Sequence, residues 1–334
     1  MSGGSKTAVY AAIVGNTVVT IAKAGAFLLT GSGAMLAEAI HSLADVGNQA
    51  LLAVGMKRAH RPPDERHPFG YGREAFVWAL ISAVGIFFIG CGVTVAHGVH
   101  TLTSGEAHEV GSVGLALWVL LFSMVVEGAS FGVAVRGVVL AARARGLGLV
   151  AHIRTTGDPF GVAVLLEDFA ALLGVLIAAA SLGLVQLTHD PRWDGIGSIA
   201  VGLLLGVVAV FLIAKNKAML VGQVALEQGS VRELLASDPL IERVAVTRAA
   251  ITGVDSIRVS AEVDLDGRRL AERYLAEHDV DALAAQLADP EALRAFLATY
   301  SDALLDEVGD EIDRLGEEIR QRFPQATGVD IALD

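Results

Sequence analysis

Along the first two thirds of the chain, long apolar stretches alternate with short polar ones. They run at about Thr7–Leu29, Ala34–Val54, Phe76–Val99, Val113–Val139, Val162–Leu187 and Ile196–Ile213, each close to the ~20 residues a helix needs to cross a bilayer. Gly31-Ser32-Gly33 is expected to turn the chain between the first two. Beyond Lys217 the period changes. Ile257, Val259, Ala261, Val263 and Leu265 alternate with Arg258, Ser260, Glu262 and Asp264, as in a half-buried strand, with a turn expected at Asp266-Gly267. Arg243–Thr252 reads as its partner strand, and a short helix is expected to begin at Val231–Leu235 and restart at Asp238-Pro239. Asp289-Pro290 caps a long helix whose apolar residues, from Leu293 to Phe323, step by three or four; Val329–Leu333 is a last strand. The pattern predicts an α-helical membrane protein: a six-helix transmembrane bundle over residues 1–216, then a cytosolic α+β domain over 217–334.

Composition agrees with this division. The 334 residues are 53% hydrophobic and the mean hydropathy is +0.56, too apolar for a soluble protein. Residues 1–216 carry 13 Lys and Arg against 13 Asp and Glu, whereas residues 217–334 carry 12 against 24, so the whole net charge of −12 sits in the second part. An acidic domain argues against nucleic acid as a partner. Cys91 is the single cysteine, which excludes a disulfide framework and a cysteine zinc cluster. Lys57, Arg58, Arg61, Arg66 and Arg73, then Arg136, Arg143, Arg145 and Arg154, then Lys215 and Lys217, all fall on one side of the bundle. The other side offers Arg192 with Glu106, Glu109 and Asp190. The positive-inside rule then puts both termini in the cytosol. An Ala/Gly/Arg-rich composition without a targeting segment points to a bacterial plasma membrane.

Charged groups inside apolar stretches carry the candidate chemistry, because each costs roughly 2.5–3.5 kcal/mol at a membrane helix centre unless it is partnered. Glu38, His41 and Asp45 share one face of the second helix. Histidine and carboxylate one turn apart suit a zinc-type metal, and a hydrogen-bonded polar stripe is the alternative. In the fifth helix, Asp158-Pro159 makes a capped start, and Glu167 and Asp168 follow about ten residues, or ~15 Å, further in. That depth matches Asp45, so a cation could bind between the two helices; a carboxyl–carboxylate pair sharing a proton is the competing arrangement. Glu127 is a further buried acid, a proton carrier or a helix–helix hydrogen-bond partner, and Lys23 either snorkels or pairs with one of these acids. Asp64 and His67 in the loop after the second helix form either an accessory metal site or a structural elbow.

Six spans, His41-x-x-x-Asp45 in the second and a carboxylate in the fifth resemble the cation diffusion facilitator family of zinc transporters. His67-Pro68-Phe69-Gly70, Glu127-Gly128-Ala129, Leu166-Glu167-Asp168 and Ala261-Glu262-Val263-Asp264-Leu265-Asp266-Gly267 resemble its zinc transporter nine branch. The resemblance implies a metal site of His41, Asp45 and Asp168. Where the family commonly has another histidine or aspartate, one turn before Asp168, this chain has Val164. Glu167 is the obvious substitute fourth ligand, although neighbouring helical residues point about 100° apart; Glu127 and water are the others. Glu38 becomes an exit-side candidate. The family's C-terminal domain is ferredoxin-like, here lengthened by helices, and homodimeric.

The expected function is divalent metal efflux by proton antiport, with Zn2+ the cargo ahead of Mn2+, Co2+ or Fe2+, and no prosthetic group. The partners are then metal ions, protons and the lipid bilayer. Two other classes compete with it: a membrane-anchored metal-binding scaffold without transport, and an intramembrane metallohydrolase. The second lacks a His-Glu-x-x-His motif, so a non-enzyme is expected.

Overall fold

The computed structural model describes residues 3–30, 33–103, 113–190, 192–287 and 289–334. The expected turn at Gly31-Ser32 and the loop residues Glu106, His108 and Glu109 lie outside them. The chain divides into two compact units, residues 1–221 with 252–255, and residues 222–251 with 256–334.

The first unit is helical: α1 (Gly3–Thr30), α2 (Gly33–Ala59), α3 (Glu74–Gly85) continuing through a π-helical segment (Ile86–Val93) into α4 (Thr94–Thr103), α5 (Val113–Ala144), the short α6 (Leu149–Thr155), α7 (Pro159–Thr188) and α8 (Arg192–Val221). Five of the long helices are apolar enough to cross a membrane. The sixth, α2, matches them in length, at 27 residues, and falls short because its inner face carries Glu38, His41, Ser42, Asp45, Asn48 and Gln49, all buried. Burial shows how the stripes work. Among the described side chains, the buried residues of α1 are Val9, Ala12, Asn16, Val19, Lys23, Ala26 and Thr30, and those of α5 are Ala116, Leu120, Ser123, Glu127, Ser130, Ala134, Val138 and Ala142. Both series step by three and four, the spacing of one helical face. The outer faces of the same helices expose Val14, Val18, Ile21, Trp118, Leu121 and Val125. That inversion, polar within and apolar without, is what lipid selects.

α7, the most buried of the five apolar spans, packs against α1, α2, α3, α5 and α8. Its start follows the local chemistry: Asp158 Oδ1 accepts from the backbone N–H of Phe160 (3.0 Å) and Gly161 (3.2 Å), with Pro159 in the first turn. α8 lies close against the third long helix because glycines face each other there. A methyl on Gly98 would come 2.7 Å from the Gly195 carbonyl oxygen, and one on Gly206 2.9 Å from Cys91 Sγ.

The second unit is a three-stranded sheet with helices: α9 (Gln228–Ser237), β1 (Ile241–Gly253), β2 (Ser256–Leu265), α10 (Gly267–Ala276), α11 (Val280–Gln286), α12 (Pro290–Arg322) and β3 (Ala326–Leu333). β2 is central and pairs in parallel with β3, from Ile257 opposite Ala326 to Val263 opposite Leu333. The long excursion between them carries α10 to α12, as a parallel connection requires. Among the described residues the sheet has three strands, those expected from the alternating segments, and Val224 adds an antiparallel bridge to Ala250 beside β1. Two local expectations are corrected. Asp238-Pro239 does not restart a helix: α9 ends at Ser237, and Asp238 Oδ1 accepts from Leu240 N (2.9 Å) in the turn into β1. The turn expected at Asp266-Gly267 is instead a helix start: Asp266 Oδ1 accepts from Arg268 N (3.0 Å) and Arg269 N (3.2 Å), capping α10.

Candidate functional site

Helix periodicity brings His41 and Asp45 to the same inner face of α2, where both are buried and His41 Nε2 lies 3.5 Å from Asp45 Oδ2. Glu167 and Asp168 are both buried on α7. Ser130 of α5 donates a 2.7 Å hydrogen bond to Asp168 Oδ2, which fixes that carboxylate's orientation. Glu167 makes no hydrogen bond through either oxygen. The charges that act on Asp45 are those of Glu167, Glu127, Lys23 and Asp168.

The expected match in depth follows from a contact further along. Glu38, seven residues before Asp45, points Oε1 at α7 opposite Gly174, where a Cβ would lie 3.3 Å away. Gly174 is six residues after Asp168. At the other end of α2 a Cβ on Gly55 would lie 3.4 Å from Phe160 of α7, so the two helices run antiparallel, and interpolating between the two contacts puts Asp45 and Asp168 at about one level. Among the described residues, no three His, Cys, Asp or Glu side chains converge closely enough to hold a metal ion. Facing carboxylates repel, and Asp168 is turned onto Ser130. Val164, the position where another ligand was sought, is buried in the apolar core.

The two acids considered for proton or accessory roles, Glu38 and Glu127, share one cation, and for Glu127 this is the helix–helix hydrogen bonding that was one of its two readings. Lys23 Nζ donates to Glu38 Oε2 (2.7 Å), Glu127 Oε1 (2.9 Å) and Ser42 Oγ (3.0 Å). Of the two readings of Lys23, pairing is the one found, and it takes two acids rather than one.

In the loop between α2 and α3, Asp64 Oδ1 accepts from the backbone N–H of Arg66 (3.0 Å) and His67 (2.8 Å), and Tyr71 Oη donates to Oδ2 at 2.6 Å. The Tyr71 hydrogen bond, followed by those backbone bonds, holds the Asp64 carboxyl below its ordinary range. The His67 ring packs against Tyr71 at a tilt of 37°, with centroids 4.2 Å apart, and His67 Nδ1 is 3.4 Å from Asp64 Oδ1. Gly70, at φ +76°, closes the turn. These bonds build an elbow; Asp64 and His67 supply two donors, and His60 is bonded instead to the Met56 carbonyl (2.7 Å).

Sequence reasoning missed Ser130 and Ser42. The available signal was spacing: Ser130 is three residues after Glu127 and Ser42 four after Glu38, so each shares the face of an acid already singled out.

Residues 9–221 match the family described as the cation efflux transmembrane domain. The chain belongs to the cation efflux family. Over 339 aligned residues it is 38% identical to the "Proton-coupled zinc antiporter SLC30A9, mitochondrial" of Xenopus laevis, covering 100% of this chain and 60% of that protein. The human protein of the same name is 38% identical over 313 residues, 92% of this chain and 55% of its own length. Metal tolerance protein C4 of Arabidopsis thaliana is 38% identical over 335 residues, 98% of this chain and 73% of its own. The chain thus spans about 60% or less of the animal proteins. None of the three is named as an enzyme, in keeping with a non-enzyme. The animal relatives are named as mitochondrial, so they lend no support to the bacterial plasma membrane expected from composition.

Proposed function

We propose that this cation efflux protein carries zinc across its membrane in exchange for protons, with His41, Asp45 and Asp168 as ligands and Glu167 as the fourth. The observation that carries the reading is the buried His41–Asp45 pair, level with a serine-oriented Asp168 and an unbonded Glu167. A mixed nitrogen and oxygen donor set suits zinc, and relatives of this chain are named as proton-coupled zinc antiporters. The other metals considered, manganese, cobalt and iron, have no counterpart in those names.

Exchange follows from charge. Asp45, Glu167 and Asp168 leave a concentration of negative charge in a low-dielectric bundle, which must be neutralised by a divalent cation in one direction and by protons in the other. Alternating access would come from small rotations of the helices around a fixed midplane site. In this reading the positive-inside rule puts the C-terminal domain in the cytosol, zinc is taken from that side, and the domain is the homodimer contact. The test is zinc flux in proteoliposomes under an imposed pH gradient. Zinc bound tightly by protein that moves none would favour a scaffold instead.

A further inference from the structure

The bundle contains a second buried acid cluster, and a cation from the protein itself already fills it. Lys23 is 0% exposed, Glu38 1% and Glu127 2%. An ammonium has three N–H donors, and all three of Lys23 are used, on Glu38 and Ser42 of α2 and on Glu127 of α5, at 2.7–3.0 Å. One ammonium does not balance two carboxylates. The remaining oxygens, Glu38 Oε1 and Glu127 Oε2, are buried without any hydrogen-bond partner. Glu38 Oε1 points at α7 across the gap left by Gly174. Glu38 lies seven residues along α2 from Asp45, about 10 Å at 1.5 Å per residue, and although Ser42 follows His41 directly, none of the cluster's residues is a zinc ligand proposed above.

We propose that Lys23 is a tethered cation occupying what would otherwise be a second divalent metal site, built from Glu38, Glu127 and Ser42. Two carboxylates and a hydroxyl are an all-oxygen donor set, which suits hard divalent cations such as Mn2+ rather than zinc. A contraction of about 0.5–1 Å would bring these oxygens to the ~2.0–2.6 Å at which such ions are held. With Lys23 in place the site carries one excess negative charge; without it there are two, the charge a divalent ion matches. Lys23 thereby keeps the bundle to one metal per protomer, and its side chain is a specificity-determining group that touches no zinc ligand.

The experiment counts Mn2+ bound per full-length protomer in detergent, by equilibrium dialysis and electron paramagnetic resonance. Lys23→Met is expected to bind one equivalent more than wild type, whereas Lys23→Arg gains none. The gain must vanish in the triple variant with Glu38→Gln and Glu127→Gln, and must persist with Asp45→Asn and Asp168→Asn, which separates it from the zinc site. If Lys23→Met folds poorly, Mn2+ must return its unfolding temperature to the wild-type value. A Lys23→Met protein with no extra equivalent, or one whose stability Mn2+ does not restore, overturns the proposal.

Discussion

Asp168 illustrates how single atoms decide the chemistry. Its Oδ2 accepts from Ser130, so removing that hydroxyl frees the carboxylate proposed above as a metal ligand. Ser130→Ala is expected to weaken zinc binding about 10- to 100-fold, the range for losing a ligand's orienting partner, as read by isothermal titration calorimetry. Asp45→Asn and Asp168→Asn remove donors themselves and should lower binding beyond that range. That His41, Asp45 and Asp168 lie buried inside the bundle was legible because charge inside an apolar helix is rare enough to stand out. Ser130 was not, since a hydroxyl in a membrane helix ordinarily bonds its own backbone, as Thr17, Thr20 and Ser123 do here. Lys23 stood between two readings because a long side chain can reach either the interface or a buried acid, and composition does not say which.

Helices and their ends obey rules that the pattern records unevenly. All six long helices extend past their apolar stretches, because helical hydrogen bonding continues where hydropathy stops. Asp238 and Asp266 were misassigned for one reason: aspartate serves turns and helix starts alike, and only the following backbone distinguishes them. Glycines separate two classes of position that sequence leaves alike. Gly98→Ala would drive a methyl within 2.7 Å of both the Gly195 carbonyl and Ile199 Cγ1, and should cost about 1–3 kcal/mol through overpacking. Gly47→Ala meets nothing within 4 Å and should be neutral or stabilising by up to about 1 kcal/mol. Thermal unfolding in detergent checks both.

The short α6 adds a pH dependence. His152 is buried on it, with Nδ1 unbonded, and burial, then the charge of Arg145, then that of Lys215 lower its pKa against an opposing pull from Asp158. The fold therefore prefers the neutral ring. Its contribution is complete above the ordinary value near ~6.5 and is lost as pH falls below it. His152→Gln should flatten the decline in unfolding temperature between pH 6.5 and 5.

At the scale of the whole chain, two units of opposite character follow each other: a bundle with its charges inside, and an α+β domain with them outside. In the second, Arg243 pairs with Asp264 (2.7 Å) and Asp334 (2.6 Å), and Arg258 with Asp330 (2.8 Å), along the exposed sheet. This division was legible because lipid and water demand opposite patterns over tens of residues. The three strands were legible too, at Arg243–Thr252, Ile257–Leu265 and Val329–Leu333, but the parallel pairing of β2 with β3 was not, since it depends on which segments meet and not on the period of any one. The central claim is that buried acids on α2 and α7 pass a metal ion one way and protons the other. Purified protein in liposomes, loaded with a zinc-reporting dye and given a pH gradient, tests this most directly. The account predicts zinc entry that follows the direction and size of the gradient, stops when the gradient is dissipated, and is lost in Asp45→Asn and Asp168→Asn. Zinc entry in those variants at the wild-type rate, or entry indifferent to the pH gradient, would contradict it.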